Sequence, residues 1–427
     1  MTRLRDVIIT GAGALCAAGK HPDEIWDAIC AGHSALSPVQ QWDTTGWPRR
    51  VAGEIADFDP VALLKDRKVQ KFIRRSDVFG LYAAGQAIET SGLTAYRDTL
   101  DGPLAVQFSE RTGVYVGSGG GSYQSQYDYF PLLSAAEDDL PSFGRKLNAT
   151  VNPMWLLRTL PNNVLCHVGI RHGLKGANAC ITNHSVSGML AIVESAEALR
   201  QGEADRAVAI GHDSPIEPQA MLYFHQLGLL AQDAIRPFDR RRDGSLLGEG
   251  AAALVLETAA SVAQRGATKL GEVLGHGYTC DGEGLLAVRD DGAALSDAIR
   301  IALDDAQLRP ADIGLIVAHA NGTPQSDVSE AAAILRVFGA DMPPVTGFKW
   351  AFGHLLAASG IIEAVQALWA LRSRKCPGIA TLGELDPAVA GLRVSRAPCT
   401  PRSDIALALS RGFAGTNAAL ILRAAGR

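Results

Sequence analysis

Short runs rich in β-branched and small apolar residues alternate with stretches whose apolar residues recur at helical spacing, along the whole 427-residue chain. A sequence of this kind closes as helices packed over a largely buried sheet, an α/β fold. The spacing predicts strands over Val7–Thr10, Thr112–Val116, Ala207–Ile210, Ala251–Leu256, Ile313–Val317 and Ile405–Leu409. It predicts helices over Pro22–Cys30 and Ala294–Leu308, and a nearly wholly apolar core helix over His354–Ser373. At 47% hydrophobic residues the chain can bury one large core or two fused ones.

Two halves are suggested, because V-I-I-T-G-A-G near the start and G-E-V-L-G-H-G-Y near residue 271 both read as a strand entering a glycine turn. The seam falls near residue 258, dividing residues 1–258 from 259–427, and no Gly-, Ser- or Pro-rich linker separates them. A formal net charge of −5 gives no general attraction for nucleic acid or an anionic membrane. The seven cysteines are scattered without C-x-x-C spacing, which argues against a zinc or redox site and places the chain in a reducing compartment, the cytoplasm. Asp6, Gly11 and Gly13 break the apolar run that would make the N-terminus a signal peptide, and no stretch reaches about eighteen consecutive apolar residues.

Several segments carry candidate chemistry. Cys180 opens the helix-like run A-N-A-C-I-T-N-H-S-V-S-G-M-L-A, where unpaired N–H groups at a helix start would favour a thiolate. On its own it reads equally as a nucleophile or as a small buried hydrophobe. His319 ends an apolar strand in I-V-A-H-A-N-G-T-P-Q-S-D, at the sheet edge where ligands gather. Lys349 and His354 stand in K-W-A-F-G-H, and the C-terminal S-R-G-F-A-G-T-N reads as a strand, a glycine turn able to hold an oxyanion, and a second strand. Arg67, Lys68, Lys71, Arg74 and Arg75 form a basic cluster, either a solvated helix face or a dock for an acidic partner. The aromatic stretch at 123–130 suits a tunnel wall, an interface or core packing.

Taken together, these motifs resemble the β-ketoacyl-acyl-carrier-protein synthases of the elongating branch, over nearly the whole chain. The resemblance implies a thiolase-like fold, two pseudo-duplicated halves in a layered α-β-α-β-α arrangement, and an acyltransferase. It implies decarboxylative Claisen condensation of an acyl-enzyme thioester with malonyl carrier. It places Cys180 as the acylated nucleophile, His319 and His354 as hydrogen-bond donors to the malonyl thioester, and Lys349 as the cation that orders them. Glu330 falls where relatives place a carboxylate partner for the lysine, Asp327 closes the histidine loop, and the backbone N–H groups of Cys180 and Phe413 would hold the oxyanion, with Phe413 also gating the acyl tunnel. A rival alignment puts Asn321 in the place of His319, at the cost of a gap. Asn321 and Thr323 would face the phosphopantetheine arm, and Arg67, Lys68 and Lys71 match a basic helix that meets the carrier protein.

The same resemblance implies no metal and no permanently bound cofactor, since the substrates ride on phosphopantetheine. It implies a dimer, with a second copy or with a chain-length-factor-like paralogue. A transferase that does not decarboxylate, and a non-catalytic partner subunit marked by loss of the cysteine or a histidine, are the alternatives. Ser245, Arg411, Asn321 and the run I-T-N-H-S depart from the family pattern, which points to a specialised acyl or polyketide chain.

Overall fold

The computed structural model describes residues 6–120, 129–137 and 139–426. Among them the main sheet has eleven strands: β1 (Val7–Cys16), β2 (Thr112–Ser118), β3 (Asn178–Ile181), β4 (Arg206–Asp213), β5 (Gly250–Thr258), β6 (Gly271–Cys280), β7 (Leu315–Val317), β8 (Pro344–Thr346), β9 (Arg393–Val394), β10 (Ile405–Gly412) and β11 (Thr416–Ala424). Their order is β9-β8-β7-β10-β11-β6-β1-β5-β4-β2-β3, so strands from before and after the helix and loop at 259–270 occupy opposite ends. Only Val7–Ile9 joins the two ends, by pairing with Gly271–Val273.

Helices fill both faces. The six that matter here are α1 (Pro22–Cys30), α2 (Arg75–Ser91), α3 (Ser187–Gln201), α4 (Ala293–Asp305), α5 (Pro324–Phe338) and α6 (Ser359–Arg372). α3 packs on β2 and β4, α6 packs on β10 and β11, and the two touch each other, which makes them the middle layer. α2 covers β1, β4 and β5 from outside, and α4 covers β6 and β11, giving the α-β-α-β-α succession. Every residue of β5 is buried, as expected of a strand covered on both faces.

Three local expectations are corrected. The first strand does not turn at its glycines but runs on to Cys16. Gly11 and Gly13 serve a close approach instead: a β-carbon on them would lie 2.2 Å from the carbonyl oxygens of Ala87 and Ala83, so their absence lets α2 lie flat on the strand. The segment around Cys180 is the edge strand β3, paired parallel with β2, and the helix starts only at Ser187. The apolar helix expected from His354 starts at Ser359, because Gly353 (φ 89°) and Leu356 (φ 42°) hold left-handed backbone that a helix cannot include. Residues 123–128 of the aromatic stretch lie outside the described residues.

Candidate active site

Two histidines from the second half of the chain meet. His319 follows β7 and His354 precedes α6, and their rings stand 5.1 Å apart, nearly perpendicular. Each is held by a specific bond. The backbone N–H of Arg411 donates to His319 Nδ1 at 3.3 Å, which leaves the proton on Nε2. His354 Nδ1 lies 2.9 Å from the Ser359 hydroxyl at the start of α6. Burial holds both imidazoles well below their ordinary range, and the Lys349 charge adds to it, so both are neutral at pH 7.

Lys349 is wholly buried and donates to the His319 carbonyl and to Glu363, each at 2.6 Å. Glu330, expected as its partner, instead accepts the backbone N–H groups of His319 and Ala320 at 2.6 and 2.9 Å. The physical reason is reach: Glu330 on α5 sits beneath the loop backbone, whereas Glu363 on α6 faces the ammonium. Asp327 accepts from Phe238 N and Gly322 N and so pins the same loop. Burial raises its carboxyl to about 7.

Cys180 is not part of this cluster. Its thiol points at the Pro161 carbonyl at 3.4 Å, burial raises it to about 11, and it does not line the cavity that holds the histidines. A thiol on a strand has no helix N-terminus beside it, so the expected thiolate activation is missing. The residue that meets the histidines is Ser185. It sits in the short turn His184–Val186 directly before α3, with its hydroxyl 3.3 Å from His354 Nε2 and 3.1 Å from His184 Nδ1. His184 has φ 46°, a left-handed conformation that drives the next side chain into the cleft. The Ser185 backbone N lies against Gly412, where an added β-carbon would be 3.4 Å from it. Sequence reasoning passed over Ser185 and His184 because the cysteine five residues earlier drew the assignment. The signal was there in N-H-S-V-S-G, the stretch that directly precedes the helix.

His319, His354, Ser185 and Phe413 line one cavity of about 370 Å³, and Asn321 and Thr323 are half-buried in its wall. The Asn321 carbonyl accepts from the Thr323 N–H and hydroxyl, so it braces the loop as well as facing the cavity. Phe413 stacks on His184 at 4.6 Å and Phe224 at 5.7 Å. Arg411 is buried against Asn417 and Asp281, while the Ser245 hydroxyl on the cavity wall is buried without a partner among the described residues. In the basic cluster, Arg67, Lys68 and Lys71 are exposed, in and beside a turn at Val69–Lys71 and not along a helix. Arg74 and Arg75 point inward, and Arg75 pairs with Glu249. No cluster able to hold a metal and no helix long and apolar enough to cross a membrane occurs among the described residues.

Residues 4–261 match the family pattern for the β-ketoacyl synthase N-terminal domain, and residues 270–382 match that for its C-terminal domain. The chain belongs to the β-ketoacyl synthase family. This synthase is 31% identical over 98% of both chains to 3-oxoacyl-[acyl-carrier-protein] synthase 2 of Coxiella burnetii. It is 30% identical, again over 98% of both, to the tetracenomycin polyketide synthase ketoacyl synthase beta subunit of Streptomyces glaucescens. It superposes on the ishigamide ketosynthase/chain length factor with a TM-score of 0.87 at 29% identity, covering 99% of this chain and 100% of that one. The synthase therefore has the thiolase-like fold and the acyltransferase class of its family.

Proposed function

We propose that this β-ketoacyl synthase carries out carrier-dependent condensation in a specialised fatty-acid or type II polyketide pathway, with Ser185 in place of a cysteine as the acyl acceptor. The observation that carries the reading is the position of the Ser185 hydroxyl, 3.1 Å and 3.3 Å from two imidazole nitrogens. Ser185 Oγ attacks the acyl thioester carbonyl, its proton passes to His184 Nδ1 and on to the departing phosphopantetheine thiolate, and an oxyester forms. Burial holds His184 at about 4, so it is unprotonated at neutral pH. The backbone N–H groups of Ser185 and Phe413 receive the oxyanion. Malonyl carrier then loses carbon dioxide, the freed electron pair moves onto the thioester oxygen held by His319 and His354, and the carbanion attacks acyl-Ser185. Ser185 leaves as an alkoxide and takes up a proton from solvent by way of His184, replacing the one that departed with the phosphopantetheine thiol.

Lys349 and Glu363 set the field around the histidine pair, Asn321 and Thr323 contact the phosphopantetheine arm, and Arg67, Lys68 and Lys71 dock an acidic carrier protein. The enzyme works in the cytoplasm as a dimer with no permanent cofactor. The absence of a thiol beside the histidines favours a second reading, a partner subunit in a heterodimer with a cysteine-bearing paralogue. Intact-mass analysis after incubation with acyl carriers separates the two. An acyl adduct that survives Cys180→Ala, disappears in Ser185→Ala and resists neutral hydroxylamine supports the serine ester. No adduct on any acyl carrier supports the partner subunit.

A further inference from the structure

A second chamber of about 210 Å³ lies behind the Ser185 site and shares His184, Phe224 and Leu356 with it. The stacked rings of His184, Phe413 and Phe224 stand at the junction, so a chain attached to Ser185 reaches this chamber by passing them. Its inner wall is not that of an alkyl pocket. Asp213 and Glu217 project from the end of β4 and the loop beyond it, Glu217 buried and Asp213 half-buried. Asp213 accepts one backbone N–H on each oxygen, from Ser214 and Ala357, and has no cation paired with it among the described residues. The Glu217 carboxylate has no hydrogen bond or ion pair among the described residues. His212 donates from Nδ1 to the Ser76 carbonyl, and its Nε2 is excluded from water with no partner among the described residues. The two arginines on the wall face carboxylates elsewhere: Arg75 pairs with Glu249, and Arg74 with Asp77.

A carboxylate on a largely buried wall with no hydrogen bond of its own is costly, as Glu217 is here, and it persists where a ligand supplies what is missing. We infer that this chamber receives the far end of the acyl group and selects chains whose terminus donates hydrogen bonds, an ω-amino or ω-hydroxy group, over plain alkyl chains. The inference rests on the proposed acyl loading of Ser185 and deepens it. Burial raises Asp213 to about 6, and burial and then Asp213 raise Glu217 to about 7, with the Arg74 charge opposing the rise in both without cancelling it. Glycine at 119 is part of the construction, since a β-carbon there would fall 2.3 Å from an Asp213 oxygen.

The test uses non-reactive pantetheine amides of one chain length ending in methyl, hydroxyl or ammonium, bound to the whole protein and followed by calorimetry. The amino or hydroxy ligand should bind at least about tenfold tighter than the alkyl one, because a site of buried acceptors rejects an analogue with no donor. Glu217→Leu should collapse that ratio, most strongly for the ammonium, and a ratio within one protein is insensitive to a change in its stability. Equal or tighter binding of the alkyl ligand by the unaltered protein overturns the inference. Because the amides cannot acylate Ser185, this outcome is independent of whether the serine ester itself forms.

Discussion

Lys349 Nζ lies 2.6 Å from Glu363 Oε1, and both side chains are fully excluded from water. Removing one member of a buried pair leaves the other charge uncompensated, which costs about 3–5 kcal/mol. Glu363→Leu should therefore destabilise the protein by about that much in urea unfolding, and Lys349→Met on top of it should recover most of the loss. Additive losses in the double variant would mean that the pair is not coupled and would return Glu330 to consideration.

Loading and decarboxylation depend on different imidazoles. His184→Gln should slow acylation of Ser185 by about a hundredfold, the lower range for general-base removal. His319→Ala should instead cut carbon dioxide release from malonyl carrier. Since His184 titrates near 4, the loading rate should be level from pH 6 to 8 and fall only as pH drops towards that value. Rapid-quench mass measurement of the adduct across pH reads this, and a midpoint between 6 and 7 would assign the base elsewhere.

Glu217 links the second chamber to stability. Its folded value of about 7 lies above the ordinary 4.5, so over that window the folded state keeps a proton that the unfolded chain has released. Stability is then lost as pH rises from 4.5 to 7 and stays lost above it. Glu217→Gln removes the titration and should stabilise the protein by about 1–3 kcal/mol at pH 8, with the gain vanishing below pH 4.5. A gain of the same size at both ends would show that packing, not charge, is responsible.

Arg67, Lys68 and Lys71 stand exposed in and beside one turn. Exposed charges act through a screened field, so Lys68→Glu with Lys71→Glu should raise KM for carrier protein severalfold at low salt and converge on the unaltered enzyme at high salt. An unchanged KM would leave the turn a solvated surface.

Much of this was legible from sequence. The fold class, the helix at Pro22–Cys30 and the C-terminal hairpin follow from periodicity, and the two histidines from the motifs that carry the family resemblance. What was not legible depends on approach in three dimensions. Glycines at 11 and 13 look like a turn, yet they permit contact with α2. Glu363 looks like one polar residue in an apolar helix, and only the packing of α6 brings it to Lys349. Cys180 and Ser185 are five residues apart, and whether the strand or the helix claims the nucleophile's place is decided by parallel pairing with β2, a long-range contact that local pattern does not encode.

That displacement gives a direct test of how the site makes use of a hydroxyl. The turn that carries Ser185 directly precedes α3, whose first unpaired N–H groups would also favour a thiolate. Ser185→Cys changes one atom and keeps the geometry, so it should load acyl groups faster than the unaltered enzyme, and its adduct should become labile to neutral hydroxylamine. If the serine ester is the working intermediate, condensation with malonyl carrier should rise with the loading rate. If Ser185→Cys loads readily but still fails to condense, the second half-reaction is missing and the partner-subunit reading prevails. Cys180→Ala in the same background should leave the adduct on residue 185, since the thiol of Cys180 faces the Pro161 carbonyl and does not line the cavity.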